Sequence, residues 1–114
     1  MYFSTNMVRY LALALMESMY GDISPNFRKI WITLDEENLT TIRVLLERQN
    51  ERDMEATEDI VTDFEAKLTM NIDLKLDVVV SDEPMNVVPK HNVPHRYVYI
   101  RHEAWPNEQV GRVY

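Results

Sequence analysis

The sequence predicts a single α+β domain in which two helices cover one face of a mainly antiparallel sheet. Three observations predict this fold class: the chain length, two segments with helical spacing of apolar residues, and four segments in which apolar residues alternate. A chain of 114 residues fits one domain, and 46% hydrophobic residues suffice for a packed core. The elements follow in the order α-β-β-α-β-β, and each helix has one apolar stripe to bury against the sheet.

The first helix is predicted over residues 5–20. Its apolar residues recur at helical spacing from Met7 to Leu15. Gly21 is a typical residue just past a helix end, and Pro25 prevents the helix from continuing. Further apolar residues widen the predicted buried side, namely Val8, Leu13, Met16, Met19 and Tyr20.

A β-hairpin is predicted next, from strands at Lys29–Asp35 and Thr41–Glu47. In both strands apolar residues occupy every second position, as on a half-buried surface. The connection is short and rich in Asp, Glu and Asn, so the two strands are expected to pair antiparallel.

The second helix is predicted to follow Asn50, whose side chain can cap it, with an apolar stripe that extends to Leu68. Asp53 stands where a capping box places its acidic residue. The remaining surface is acidic, since residues 51–65 contain seven acids against one base, Arg52. These acids are Glu51, Asp53, Glu55, Glu58, Asp59, Asp63 and Glu65.

Two more strands complete the predicted sheet. Residues 72–80 alternate with a period of two over nine positions, a pattern that does not fit a helix. Residues 85–95 contain two prolines and are predicted to be irregular. Arg96–Arg101 is predicted as the last strand, with Tyr97 and Tyr99 on the same face.

The domain is predicted to span residues 1–103, with a C-terminal tail at 104–114. The chain has no cysteine, which excludes disulfides and thiolate nucleophiles and favours the cytoplasm. The net charge of −7 repels nucleic acids and anionic membranes and attracts basic partners. We therefore expect no direct binding to nucleic acid or membrane.

No catalytic, metal or cofactor site is predicted. Two glycines are too few for a phosphate-binding loop. The histidines His91, His95 and His102 fall in the irregular segment and around the last strand, and we interpret them as surface residues. The chain is accordingly predicted not to be an enzyme, and no small-molecule substrate is expected.

The acidic side of the second helix is interpreted as a docking surface for a basic protein. A helix that needed only solubility could alternate Lys and Glu four residues apart, which this one does not do. A merely solvated helix face is the alternative. At the level of the whole chain, two other functions stay open: a homo-oligomeric structural or assembly protein, and a small hydrolase or isomerase that uses the histidines.

Four segments resemble a known group of proteins. They are Ser24–Arg28, Glu58–Ala66, Val78–Pro84 and Tyr97–Arg101. Together they resemble small bacterial immunity proteins of contact-dependent growth inhibition and related polymorphic toxin systems, over about residues 7–103. From Ala104 onward the chain departs from the shorter members, so nothing is carried over there.

The resemblance implies a cytoplasmic protein that binds and blocks the C-terminal toxin domain of a delivered effector. Many such toxins are nucleases, frequently acting on tRNA, and their surfaces must be basic to hold phosphate. An acidic inhibitor is the expected complement of such a toxin. The predicted toxin-binding residues are Glu55, Glu58, Asp59, Asp82 and Glu83, with Tyr97 and Tyr99 as apolar anchors.

Overall fold

The computed structural model describes residues 5–34, 39–69, 72–84 and 95–101. These ranges form two helices and four strands, which confirms the predicted α+β class and the order α-β-β-α-β-β. The predicted turn at 35–38, most of the predicted irregular segment, and the tail at 104–114 lie outside the described residues. The elements are α1 (Thr5–Ser18), β1 (Phe27–Leu34), β2 (Leu39–Leu46), α2 (Glu51–Lys67), β3 (Asp73–Val80) and β4 (His95–Ile100).

The strands form one mixed sheet in the order β3-β2-β1-β4. The central strand β1 pairs antiparallel with β2, as the predicted hairpin requires, and antiparallel with β4. By contrast, β2 and β3 are parallel. The parallel pair is possible because α2 carries the chain back across the sheet between these two strands.

Both helices pack on the same face of the sheet, as predicted. Apolar side chains from α1, α2, β1 and β2 merge there into one buried cluster, with half-buried side chains of β3 and β4 around it. The side chains of this core without any solvent exposure are Leu11, Leu15, Phe27, Ile30, Ile32, Ile42, Leu46 and Phe64. Burial of this single surface fixes the two helices relative to the sheet.

Helix α1 ends at Ser18, two residues earlier than the sequence predicts. The next turns are tighter, because Met19 N donates to Met16 O and Asp22 N donates to Met19 O, each three residues back. Gly21 follows with φ +85°, a conformation that favours glycine, and the chain turns there toward β1.

A β-bulge in β4 contradicts the prediction that Tyr97 and Tyr99 share a face. The pairing with β1 passes from Ile30↔Tyr99 directly to Trp31↔Tyr97, so Val98 is an additional residue in β4. After this extra residue, each side chain of β4 lies on the face opposite to the one that simple alternation predicts. Tyr99 therefore packs half-buried against the core, whereas Tyr97 lies on the opposite face.

The second face of the sheet carries an aromatic and cationic cluster. Trp31 is only 3% exposed there and its ring centroid lies 6.1 Å from that of Tyr97. The Lys29 ammonium lies 4.9 Å from the centroid of Trp31 and 4.3 Å from that of Tyr97, within cation–π range. Arg43 forms an ion pair with Asp77 on the neighbouring strand. The side chains described on this face thus contact one another through one ion pair, an aromatic pair and two cation–π contacts.

Candidate docking surface

The outer side of α2 presents six exposed carboxylates. Of the seven acids between positions 51 and 65, only Asp53 is buried. Four of the exposed acids recur at intervals of four residues and form what we call the acidic row: Glu51, Glu55, Asp59 and Asp63. Residues four apart on a helix have Cβ atoms about 5–6 Å apart, so the row is a continuous line of negative charge. Glu58 and Glu65 flank it.

No cation among the described residues forms an ion pair with the acidic row, although Arg52 is three residues from Glu55 and Lys67 is four residues from Asp63 on the same helix. The ion pairs within the described ranges involve two other acids, Glu47 and Asp77. Each pair of like charges four residues apart destabilises a helix by about 0.2–0.5 kcal/mol. The described acids also form no cluster of the kind that holds a metal ion. The row therefore keeps a repulsion that positive charge from another molecule would relieve.

Asp22 extends this negative surface beyond α2. The residue lies in the turn after α1, yet it is close enough to α2 to sense two members of the acidic row. Burial raises the pKa of Asp22 above its usual 3.8, and the negative charges of Asp59 and Asp63 raise it further. Three carboxylates from two separate segments thus repel one another at this place.

The substitution Asp22→Asn should stabilise the protein at pH 7 and leave it unchanged at pH 3. A raised pKa means that the folded state binds the proton more tightly than the unfolded chain, so stability falls as pH rises through the interval above 3.8. At neutral pH the charged Asp22 is unfavourable, and asparagine removes that charge. Thermal unfolding midpoints of both proteins at the two pH values test this.

The matched control is Asp73→Asn, which removes an exposed acid at the start of β3. It should leave the midpoint nearly unchanged at both pH values, because surface substitutions usually change stability by less than about 0.5 kcal/mol. If Asp22→Asn gave no gain at pH 7, the proposed repulsion with the acidic row would be wrong.

A hydrogen-bond network fixes the start of α2 and therefore the direction of the acidic row. The buried Asp53 carboxylate accepts hydrogen bonds from Ser24 Oγ and Asn26 Nδ2, both at 2.9 Å. The Asn50 side chain accepts from Asp53 N at 3.2 Å, which confirms the predicted N-cap. The carboxylate of Asp53 thus binds the segment before β1. In a capping box it would instead accept from the backbone N–H of the N-cap residue, Asn50.

The same network joins β1 to β2. Asn26 Nδ2 donates to Arg48 O, and Asn26 Oδ1 accepts from Arg48 N, both at 2.9 Å. Arg101, which follows β4, donates to Glu47 Oε1 at 2.8 Å. This hydrogen bond lowers the pKa of the Glu47 carboxyl, with a smaller contribution from the positive charge of Arg101. Four segments of the chain are held together at this end of the sheet.

Arg28 brings the end of β3 to this same edge. Its buried guanidinium donates to Ser81 O at 2.6 Å, and Ser81 N donates to Leu46 O at 2.9 Å. The next two residues, Asp82 and Glu83, are exposed. They lie at the edge of the sheet where α2 begins, because β2 and β3 run parallel and both end there.

The seven predicted toxin-binding residues fall into separate groups in the structure. The acidic members lie on the helix-covered side or at its edge, whereas the tyrosines are divided by the bulge in β4. The outer face of α2 carries Glu55, Glu58 and Asp59, the edge after β3 carries Asp82 and Glu83, the second face of the sheet carries Tyr97, and Tyr99 packs half-buried against the core. The two tyrosines therefore lie on different faces of the sheet, and all five acids are exposed.

Sequence reasoning missed an apolar surface on α1. Leu13, Met16 and Tyr20 were expected to widen its buried side, yet all three are exposed. The sequence does carry a sign of this surface, because apolar residues occur on nearly all sides of α1. A helix on the protein surface needs only one apolar side to cover a sheet, so the other apolar residues must be exposed.

Within the described residues, neither helix has the length and apolar character needed to cross a bilayer. The family model described as MafI2 immunity protein matches residues 8–103, a range that includes most of α1, all four strands and α2. The chain belongs to the MafI2 immunity protein family, and it is thus an immunity protein of a polymorphic toxin system. No curated protein matches the chain.

Proposed function

We propose that this protein binds and neutralises the C-terminal toxin domain of a contact-dependent growth inhibition effector through the outer face of α2. Membership of an immunity protein family supports a toxin as the partner. The observation that carries the choice of surface is the acidic row, with four exposed carboxylates that form no ion pair with the described residues. The protein acts by occupying the toxin and catalyses no reaction itself.

The toxin that fits this surface best is a nuclease, with tRNA as its substrate. A nuclease needs positive side chains to hold phosphates, and those side chains are exposed when the substrate is absent. The acidic row presents a line of negative charges on a rigid helix, much as a phosphate backbone does. Binding there would cover the substrate site, and it would take place in the cytoplasm, where tRNA is found.

Asp82 and Glu83 supply a second point of contact in this proposal. They are exposed at the edge where α2 begins, so a toxin bound along the acidic row can reach both groups of acids at once. Two separated contacts fix the orientation of a partner, which one line of charge does not. Tyr97 lies on the opposite face of the sheet, away from this toxin surface.

Co-expression with the toxin domain encoded in the neighbouring reading frame tests the proposal. We expect the two proteins to co-purify through size-exclusion chromatography, and we expect cells that make both to grow normally. A toxin domain from an unrelated system is the control and should remain both unbound and toxic. Absence of a complex at micromolar concentration would contradict the proposed function.

A further inference from the structure

Helix α1 exposes large apolar side chains along its outer side. Leu13 is 56% exposed and Tyr20 is 93% exposed, with Met16 and Tyr10 beside them. Tyr10, Leu13 and Met16 follow one another at steps of three residues on the outer side of α1, where Arg9 and Glu17 are also exposed, and Tyr20 lies in the turn after the helix. We call this set, Tyr10, Leu13, Met16 and Tyr20, the α1 stripe.

The α1 stripe is not needed for the core of this domain. The opposite side of α1 already buries Leu11 and Leu15 against the sheet. Soluble proteins rarely expose contiguous apolar surface without a use for it, and tyrosine and methionine are enriched where proteins bind each other. The stripe therefore has the composition of an interface.

The α1 stripe leads directly to the acidic row. It ends at Tyr20, and two residues later Asp22 senses the charges of Asp59 and Asp63. The two helices also contact each other on the sheet. Apolar side chains and carboxylates thus form adjoining parts of one surface, with Asp22 between them.

We propose that the α1 stripe is the apolar half of the interface that binds the toxin. This inference rests on the proposed function and names a second part of the same binding surface. The partner that fits is a basic protein with an apolar patch next to its cationic groups. Such interfaces combine an apolar centre, which slows dissociation, with charged surroundings, which speed association.

A second copy of this chain is a poorer occupant of the α1 stripe. Contact between two copies through α1 would bring two acidic rows and two net charges of −7 toward each other. Like charges across an interface oppose binding. A basic toxin gains from the apolar stripe and from the acidic row at the same time.

The test is the double substitution Leu13→Ala and Met16→Ala in the full chain. Both side chains are exposed and alanine is the best helix former, so the fold and its stability should be kept. Binding to the neighbouring toxin domain, measured by surface plasmon resonance, should weaken about tenfold or more. The loss should come from faster dissociation and should be similar at low and high salt, because no charge is altered.

Two control variants accompany the test. Leu13→Met keeps the apolar surface and should bind the toxin domain like the unchanged protein. Val79→Ala shortens a side chain of similar exposure on β3, away from both helices, and should also bind normally. Circular dichroism should give the same helical content for all variants.

Each outcome decides the inference. If the unchanged protein binds the toxin domain and the double variant binds equally well, the α1 stripe is outside the interface and the proposed function still holds. If the unchanged protein forms no complex, both proposals fail. If sedimentation shows a dimer that the double variant abolishes, a second copy covers the stripe and the inference is overturned.

Discussion

Reversing two charges in the acidic row, with Glu55→Lys and Asp59→Lys, should slow association with the toxin domain by about ten- to a hundredfold at low salt. Both residues lie on the outer face of α2 and have no described ion-pair partner. Their negative charges therefore act on a protein that approaches this side of the helix. Opposite charges raise the rate of encounter, and like charges lower it. A basic toxin should meet repulsion where it previously met attraction.

The double charge reversal should not weaken the fold. Glu55 and Asp59 are exposed and four residues apart, and the acids at positions 51 and 63 flank them along the helix. Replacing the two inner charges by lysine turns two of the three neighbouring repulsive pairs into attractive ones, while the pair at positions 55 and 59 stays repulsive. A loss of binding in this variant therefore cannot be attributed to unfolding, which thermal unfolding curves verify.

Stopped-flow association rates at several salt concentrations provide the measurement. The rate for the unchanged protein should fall steeply with salt, whereas the rate for the variant should depend on it little. The matched comparison is Asp59→Lys alone with Asp73→Lys alone, which change net charge equally, because Asp73 is exposed at the start of β3, away from the acidic row. If both variants slowed association to the same extent, net charge and not the position of the row would control recognition.

The substitution Asp53→Ala should lower the free energy of unfolding by about 2–4 kcal/mol. The Asp53 carboxylate is 3% exposed and accepts hydrogen bonds from Ser24 Oγ and Asn26 Nδ2. Alanine would leave these donors without their partner inside the protein. Because Asn26 also binds both backbone groups of Arg48, the loss should spread to the end of β2.

Urea unfolding followed by circular dichroism measures this change. Asp53→Asn keeps the shape and one acceptor oxygen, so we expect it to lose less stability than Asp53→Ala. Glu58→Ala removes an exposed acid from the same helix and should change stability by less than about 0.5 kcal/mol. If Asp53→Ala unfolded at the same urea concentration as Glu58→Ala, the network would not support the start of α2.

Local patterns in the sequence predicted most of the elements. The alternation that became β3 has a period that only a strand fits, and Asn50 has the side chain that an N-cap needs. These predictions depend on residues close in the chain, so no knowledge of the rest of the fold was required. The acidic side of α2 was predictable for the same reason.

Features that depend on distant contacts were not predictable from the sequence. Asp53 belongs by spacing to the acids of α2, but its half-buried partners Ser24 and Asn26 lie far back in the chain. The extra residue in β4 has no glycine to indicate it, and it reverses the face of Tyr99. Strand order likewise escaped prediction, because periodicity determines which face is buried and says nothing about which strands are neighbours.

The position of β1 in the sheet has a consequence for how this protein is made. Of its two neighbours in the sheet, β2 follows β1 directly in the chain, whereas β4 is the last described element. On the ribosome, one side of β1 therefore keeps unpaired N–H and C=O groups until β4 has been translated. A prematurely terminated chain that lacks β4 would leave this strand open to pairing with other unfinished chains.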